Sequence, residues 1–172
     1  MIFVTVGTQF PFPRLIRMVD LWAGDHPEHE CFAQIGSEGD PPVNMAWSRS
    51  LDAEEVRDRT KRANCVVSHA GMGTVLSCRD LGIPLVVVPR LLALGEHRSD
   101  HQEATARALT GFEGLYLLGE DADLDGLLAQ ALSGPRGQET GAPKQLLELQ
   151  QGLSSWIRDP LLAGRPAAGA GS

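Results

Sequence analysis

Short apolar runs alternate with segments of helical periodicity along most of this chain, and that alternation constrains the fold more than any other feature. The most strand-like run is 85–88, Leu-Val-Val-Val, which is apolar on consecutive residues as a strand covered on both faces must be. We expect it in the middle of a sheet. The other predicted strands are 2–6, 31–36, 64–68 and 114–118, with a weaker one near 44–47.

Helices are predicted between these strands. The first begins at Pro13, whose missing N–H has no intrahelical partner in the first turn. The others are predicted over 50–61, 73–81, 100–109 and 124–132, with Asp121 and Asp123 interpreted as an acidic cap of the last. Regular alternation of strand and helix predicts an α/β fold with an open, mainly parallel, Rossmann-like sheet and helices on both faces.

A chain of 172 residues is long enough for one substantial core. We predict a single domain over 1–160 and a disordered tail over 161–172, where Gly, Ala and Pro dominate. Two apolar features stand apart from the core pattern and either cover this domain or dock a second subunit. They are Leu91, Leu92 and Leu94 in one loop, and the stripe Leu146, Leu149, Leu153 and Trp156.

Charge and composition exclude several classes of function. The formal net charge of −7 disfavours nucleic acid or an anionic membrane as a partner, because those surfaces need clustered Lys and Arg. No apolar run is long enough to span a membrane and the first residues lack a basic leader, so we expect a cytoplasmic protein. The odd set of cysteines, Cys31, Cys65 and Cys78, is interpreted as buried free thiols.

The turns at the carboxyl ends of the strands are the expected ligand sites in an open α/β sheet. Gly7 and Thr8 follow the first strand, and the turn 68–74, Ser-His-Ala-Gly-Met-Gly-Thr, joins a strand to a helix. Its glycines would let the backbone approach a ligand and present helix N-terminal N–H groups to a diphosphate. The alternative is a glycine turn that only packs helix against strand.

The loop 90–102 concentrates ionisable groups between an apolar strand and a helix, which favours a functional role. A helix cap at Ser99 would explain part of it, but not His97, His101 and Gln102. The two histidines have the i, i+4 spacing of a metal pair, yet no third ligand is spaced to complete a metal site, so none is predicted. A dinucleotide site is disfavoured because Leu76 stands where the third glycine of that motif belongs.

Several of these motifs in register resemble glycosyltransferase family 28, C-terminal domain, over about residues 1–135. The motifs are Val4–Thr8, Ser68–Thr74, Val88-Pro89-Arg90, Gly95-Glu96-His97 and Asp100-His101-Gln102. The likeness is greatest to the PssE-type exopolysaccharide subunits. It is weaker to the catalytic subunit of the eukaryotic dolichol-linked N-acetylglucosaminyltransferase and to the donor domain of MurG.

The resemblance implies half of a GT-B enzyme. This half would bind a UDP-sugar as substrate and would need no cofactor. A separate, membrane-associated subunit would bind a lipid-linked glycan acceptor. That subunit would also recruit the complex to the inner face of the membrane. The implied donor-binding residues are Gly7, Thr8, His69, Gly71, Met72, Gly73, Thr74, Arg90, Glu96, His97, His101 and Gln102. At Ser77 the chain departs from MurG and the eukaryotic subunit, which carry an acidic residue taken to bind the ribose hydroxyls.

The catalytic base stays open. It should lie close to the acceptor hydroxyl, so we expect the partner to supply it, with His69 and His97 as candidates within this chain. Two other functions also stay open: a non-catalytic nucleotide-sugar-binding regulatory module, and a stand-alone hydrolase or metal enzyme that uses the His97 and His101 loop. In isolation the chain could also pair with a second copy of itself.

Overall fold

A computed structural model of the chain describes residues 1–8, 10–96, 109, 111–119 and 123–134. These residues fall within one compact unit, Met1–Thr140. The predicted boundary at 160, the tail 161–172, the predicted helix 100–109 and the apolar stripe from Leu146 to Trp156 lie outside the described residues, apart from Leu109, and stay predictions.

Six parallel strands form one open sheet in the described part of the chain. They are β1 (Ile2–Thr5), β2 (Cys31–Gln34), β3 (Ala46–Ser48), β4 (Cys65–His69), β5 (Leu85–Val88) and β6 (Leu115–Leu117). The order across the sheet is β3-β2-β1-β4-β5-β6, and every neighbouring pair is parallel. The α/β prediction is confirmed. The sheet is wholly parallel rather than mainly so, and β5 lies between two strands as predicted.

Four α-helices accompany these strands within the described ranges. They are α1 (Pro13–Asp25), α2 (Ala53–Arg62), α3 (Met72–Asp80) and α4 (Leu124–Ser133). Pro13 lies in the first turn of α1, as predicted. Asp52 caps α2 in a reciprocal pair with Glu55, and the carboxylate of Asp123 accepts from the N–H groups of Asp125 and Gly126 in the first turn of α4. The interpretation of Asp123 as a cap is therefore confirmed.

Side chains that alternate along each strand build a core on both faces of the sheet. Ile2 and Val4 join the apolar cluster that includes Leu15 of α1 and Leu128 of α4. Phe3 lies between them in sequence, is also fully buried, and so points to the opposite face. Phe32 is its partner in the neighbouring strand, and Arg59 of α2 lies over the Phe32 ring, while α2 contacts α3. Helices therefore cover both faces, as the sequence predicted.

The strand order reverses direction between β1 and β4. The chain leaves β1 through α1 toward β2 on one side, and leaves β4 through α3 toward β5 on the other. In open α/β sheets the crevice beyond the carboxyl ends of two such strands is where ligands bind. No helix among the described ranges is both long and apolar enough to cross a membrane.

Candidate functional site

Three segments meet at the carboxyl edge of the sheet because their strands are neighbours there. Residues 6–8 and 10–12 follow β1, residues 70–71 follow β4, and residues 89–96 follow β5, which ends beside β4. These are the segments in which the sequence predicted the site. The short 3₁₀ turn Leu92–Leu94 belongs to the third of them.

The Gly7 peptide is fixed by two buried side chains. Its φ of +77° lies in the left-handed region that favours glycine. The Gly7 N–H donates to Thr5 Oγ1 at 3.2 Å, and Gln34 Nε2 donates to the Gly7 carbonyl at 3.0 Å. The Thr5 hydroxyl in turn donates to Gln34 Oε1 at 2.6 Å. This network presents the following residue, Thr8, on the exposed side of the edge.

The His69 imidazole lies between two glycines of the site. A Cβ built on Gly7 would stand 2.6 Å from His69 Cε1, and a Cβ on Gly71 would overlap the same ring. The sequence interpretation held that Gly71 makes room for a ligand. In the structure the protein's own histidine occupies that room, and the Nδ1 atom of the ring is buried. The missing side chain of Gly71 therefore makes room for the His69 ring.

The N-terminus of α3 faces the same edge. Gly71 is its N-cap residue, and the first intrahelical bond runs from the Val75 N–H to the Gly71 carbonyl at 3.1 Å. The N–H groups of Met72, Gly73 and Thr74 precede that bond and have no partner within the helix. No side chain of the described residues caps them. The space above Gly73 is open, since a Cβ there would meet no atom of the described chain within 4 Å beyond its own helix turn.

Ser77 lies one turn further along α3 and is exposed. Its hydroxyl donates to the Gly73 carbonyl at 2.9 Å. The hydroxyl oxygen keeps acceptor capacity, but the residue brings no negative charge to the position where the resemblance leads one to expect a carboxylate.

Arg90, which the resemblance placed among the donor-binding residues, is 2% exposed. Its guanidinium group donates to the carbonyl oxygens of Phe10 and Pro11 at 2.7 Å each and of Val6 at 3.1 Å. It also lies over the Phe12 ring, with Cζ 4.4 Å from the centroid. Burial lowers the pKa of this guanidinium, and the nearby Glu96 carboxylate opposes that effect. This geometry favours a role in holding the loop after β1 over the direct ligand contact that was predicted.

Glu96 is tied to α1 by a partner that the sequence did not indicate. Arg14 Nε donates to Glu96 Oε1 at 2.7 Å and Arg14 Nη2 to Oε2 at 2.8 Å, across 82 residues of sequence. The Leu91 N–H also donates to Oε2, at 2.9 Å. Burial alone would raise the pKa of Glu96, but the bonds from Arg14 and Leu91 and the charges of Arg14 and Arg90 bring it below its ordinary value.

The structure thus brings together most of the predicted site residues that it describes. Gly7, Thr8, His69, Gly71, Met72, Gly73 and Thr74 gather at one edge, with Arg90 and Glu96 among the loops beside them. His97, His101 and Gln102 lie outside the described residues, so their roles stay predictions. The same part of the chain holds no group of three or more His, Cys, Asp or Glu side chains placed to bind a metal ion.

Sequence reasoning missed three residues that shape this edge: Thr5, Gln34 and Arg14. Gln34 carried a signal, because an amide inside an otherwise apolar strand needs a hydrogen-bond partner when buried. Arg14 carried none, since a basic residue in the first turn of a helix is ordinarily a solvated side chain.

The fold is a Rossmann-like α/β half of the kind found in GT-B glycosyltransferases: the described residues form a wholly parallel sheet with a glycine turn and an open helix N-terminus at its switch point. The chain belongs to glycosyltransferase family 28, C-terminal domain, whose family model matches residues 1–143.

Solved glycosyltransferase structures share this fold at low sequence identity. The kitacinnamycin glycosyltransferase matches with a TM-score of 0.61 and 19% identity over 90% of this chain and 39% of its own. The calicheamicin glycosyltransferase matches at 0.56 and 19%, with the same coverage. Acinetobacter baumannii MurG matches at 0.51 and 16%, over 89% of this chain and 49% of its own. This chain therefore spans less than half the length of each of these enzymes.

Proposed function

We propose that this chain is the donor-binding catalytic subunit of a two-component inverting glycosyltransferase. It would take a UDP-sugar as substrate, without a cofactor, and act with a membrane-associated subunit that binds a lipid-linked acceptor, in exopolysaccharide or cell-surface glycan synthesis. The family membership supports the glycosyltransferase class. The donor, acceptor and partner come from the motif resemblance and are the content of the proposal.

The observation that carries the proposal is the open N-terminus of α3 at the switch point of the sheet. Three consecutive N–H groups and the positive end of the helix dipole point where a diphosphate would bind. Each such interaction stabilises an anion by only about 0.3–1 kcal/mol at an exposed site, so several must act together. Because Gly73 has no side chain, a ligand can approach these N–H groups. The next residue, Thr74, carries a hydroxyl that can donate a further hydrogen bond.

The same groups suit the chemistry of an inverting transfer. The acceptor hydroxyl oxygen attacks the anomeric carbon, the bond from that carbon to the diphosphate oxygen breaks, and the negative charge of the departing UDP grows at the α3 N-terminus. Fixed N–H donors aimed at developing charge stabilise a transition state without having to reorganise. A general base accepts the proton of the acceptor. We propose that the partner supplies this base, with His69 and His97 as the candidates in this chain.

Two observations support the need for a second half. The solved glycosyltransferases continue well beyond the part that this chain matches, which is 39–49% of their length in the three structures compared above. Apolar side chains are also exposed on the loops of the ligand edge, where Phe10 is 38%, Leu92 48% and Leu94 60% accessible. A second subunit that closes over this edge would bury them. Such a partner would also recruit this otherwise cytoplasmic chain to the membrane.

The proposal is tested by separating binding from transfer. The isolated chain is titrated with UDP and with a panel of UDP-sugars, and transfer is then assayed with and without membranes that contain the partner subunit. The proposal expects UDP binding by the chain alone and transfer only in the mixture. Failure to bind UDP or any UDP-sugar would refute donor binding, and robust transfer to a lipid-linked acceptor by the isolated chain would refute the two-component arrangement.

One observation favours a second candidate, a non-catalytic nucleotide-sugar-binding regulatory module. Ser77 is uncharged and its hydroxyl donates to its own helix. A site that lacks a carboxylate for the ribose would bind the nucleotide less selectively. Binding without transfer in any mixture with the acceptor-binding partner would favour this module over the enzyme.

A further inference from the structure

Arg90 lies beneath the site and touches both loops that border it. Its Nη1 and Nη2 atoms reach the carbonyl oxygens of Val6, Phe10 and Pro11 in the loop after β1. Nη1 also lies 3.4 Å from the carbonyl oxygen of Glu96, in the loop after β5. One buried cation therefore binds backbone carbonyls from two segments that are about eighty residues apart.

The Glu96 carboxylate makes a second bridge, from the loop after β5 to α1, which directly follows the loop after β1. Both of its oxygens accept from Arg14, in the first turn of α1, while Leu91 in its own loop donates to one of them. Arg14 also donates from Nη2 to the Pro89 carbonyl at 2.7 Å. The Arg14 and Glu96 side chains are 28% and 11% exposed, so solvent screens this pair less than an open surface pair. Planar two-point contacts of this kind fix orientation as well as distance.

Most polar atoms of the two bridges already bind groups of the chain itself. Arg90 is buried under the loops, and the Phe12 ring lies against both guanidinium groups, with centroid distances of 4.4 Å to Arg90 Cζ and 5.2 Å to Arg14 Cζ. Both Glu96 oxygens are already engaged. The bonds join the loop after β5 to the loop after β1 and to the first turn of α1, which continues that loop. Groups that bind several segments of the chain in this way serve to position them.

We propose that Arg14, Arg90 and Glu96 form a loop clamp, a set of positioning residues that holds the loop after β1 and the loop after β5 in one relative placement for donor binding. The inference rests on the proposed function. One loop carries Thr8, and the other leads in sequence directly into His97, His101 and Gln102, so the clamp fixes the start of both predicted sets of donor contacts. Arg90 and Glu96 thereby act on the donor through the loops and not as ligands.

The first arm of the test needs no ligand. Backbone hydrogen exchange is measured in the parent chain, in Glu96→Gln and in Arg14→Met, with exposed Glu30→Gln and Arg17→Met as matched controls. Loss of a charge-assisted contact should speed exchange about tenfold in the loop opposite the changed residue, that is, in residues 7–12 for Glu96→Gln and in residues 90–96 for Arg14→Met. Exchange that rises only in the segment that carries the substitution, or not at all, would overturn the clamp.

The second arm measures the UDP dissociation constant of the same proteins, at a temperature where each unfolding curve shows it to be folded. We expect a loss of about tenfold in each clamp variant, and a loss in the double variant smaller than the product of the two single losses, because both remove the same bridge. The controls should stay within about twofold. A purely structural pair would lower the free energy of unfolding and leave the dissociation constant unchanged, and that result would overturn the positioning role.

The two arms separate failure of the clamp from failure of the proposed function. A parent chain that does not bind UDP would overturn the proposed function and the positioning role with it, while the exchange arm would still decide whether the loops are coupled. Parent binding with equal affinity in the clamp variants would overturn the positioning role alone. The test avoids Arg90 itself, because its removal would leave several buried carbonyl oxygens without a donor and threaten folding.

Discussion

The imidazole ring of His69 fills the space that a side chain on Gly71 would need. The ring also occupies the space that a side chain on Gly7 would need, with Cε1 2.6 Å from a Cβ built there. Gly71→Ala should therefore destabilise the fold by about 1–3 kcal/mol, as overpacking of a filled site does. Urea unfolding measures the change.

The cause of that loss can be isolated. In the His69→Ala background the clash partner is absent, so Gly71→Ala should then cost little or become stabilising. Gly73→Ala is the matched control, because its Cβ meets open space and alanine favours a helix by about 0.5–1 kcal/mol over glycine. Equal losses from Gly71→Ala with and without His69 would show that the ring is not what Gly71 accommodates.

Thr5 and Gln34 should be energetically coupled through Gly7. Thr5→Val keeps the shape of the side chain but removes the hydroxyl that accepts from the Gly7 N–H and donates to Gln34. Since both residues are buried, we expect a loss of about 1–3 kcal/mol for the single change. A double-mutant cycle with Gln34→Leu should give a coupling of about 0.5–3 kcal/mol. Strict additivity of the two changes would contradict the network.

Glu96 should contribute to stability in a pH-dependent way. Its pKa in the folded chain lies below the ordinary value of 4.5, so the stabilisation is fully present above that value and is lost as the pH falls through the folded pKa. The difference in free energy of unfolding between the parent and Glu96→Gln should be constant above about pH 6 and shrink in acid. Denaturant titrations between neutral and acid pH measure it. If the difference in free energy of unfolding grew as the pH fell, the pH dependence would have the opposite sign and would contradict this prediction.

The three cysteines should be inert while the chain is folded. Burial is the main cause that raises the pKa of Cys31 to about 11 and that of Cys65 and Cys78 to about 12, and all three are free thiols, as the sequence predicted. Because the thiolate is the reactive form, a thiol reagent at pH 8 should label the native chain only through rare opening. Denaturant should expose all three at once. Prompt labelling of any cysteine in the native chain would contradict its burial.

Much of the fold could be predicted because periodicity reports burial. The run 85–88 was predicted as a covered strand in the middle of the sheet and is one, and the weak segment near 44–47 does form an edge strand, at Ala46–Ser48. The start of α1 at Pro13 and the cap of α4 at Asp123 were predicted, because first-turn and capping preferences are local chemistry. The second helix begins at Ala53, after its Asp52 cap, and not at residue 50 as predicted. Short-range patterns of this kind predict the folded structure well when the tertiary packing stabilises the same helices and strands that the local sequence favours.

The inner structure of the site could not be predicted in the same way. A glycine turn shows that something needs room, but not whether it is a ligand, as interpreted for Gly71, or the chain's own His69. A motif also indicates that Arg90 and Glu96 belong to the site, but it does not show whether their side chains point toward a ligand or toward the rest of the chain. Their partners stand about eighty residues away, and no local pattern connects Arg14 to Glu96.

The central claim is that a nucleoside diphosphate binds at the N-terminus of α3, and Gly73→Val tests it most directly. Valine fits the helix but fills the open space over the first N–H groups, so the fold should hold while the ligand is excluded. Gly119→Val is the control, at another exposed glycine with open space around it. Calorimetric titration of UDP should give parent-like affinity for the control and a loss of at least about tenfold for Gly73→Val. A dissociation constant for Gly73→Val within about twofold of the parent, in a chain that unfolds like the parent, would contradict the account.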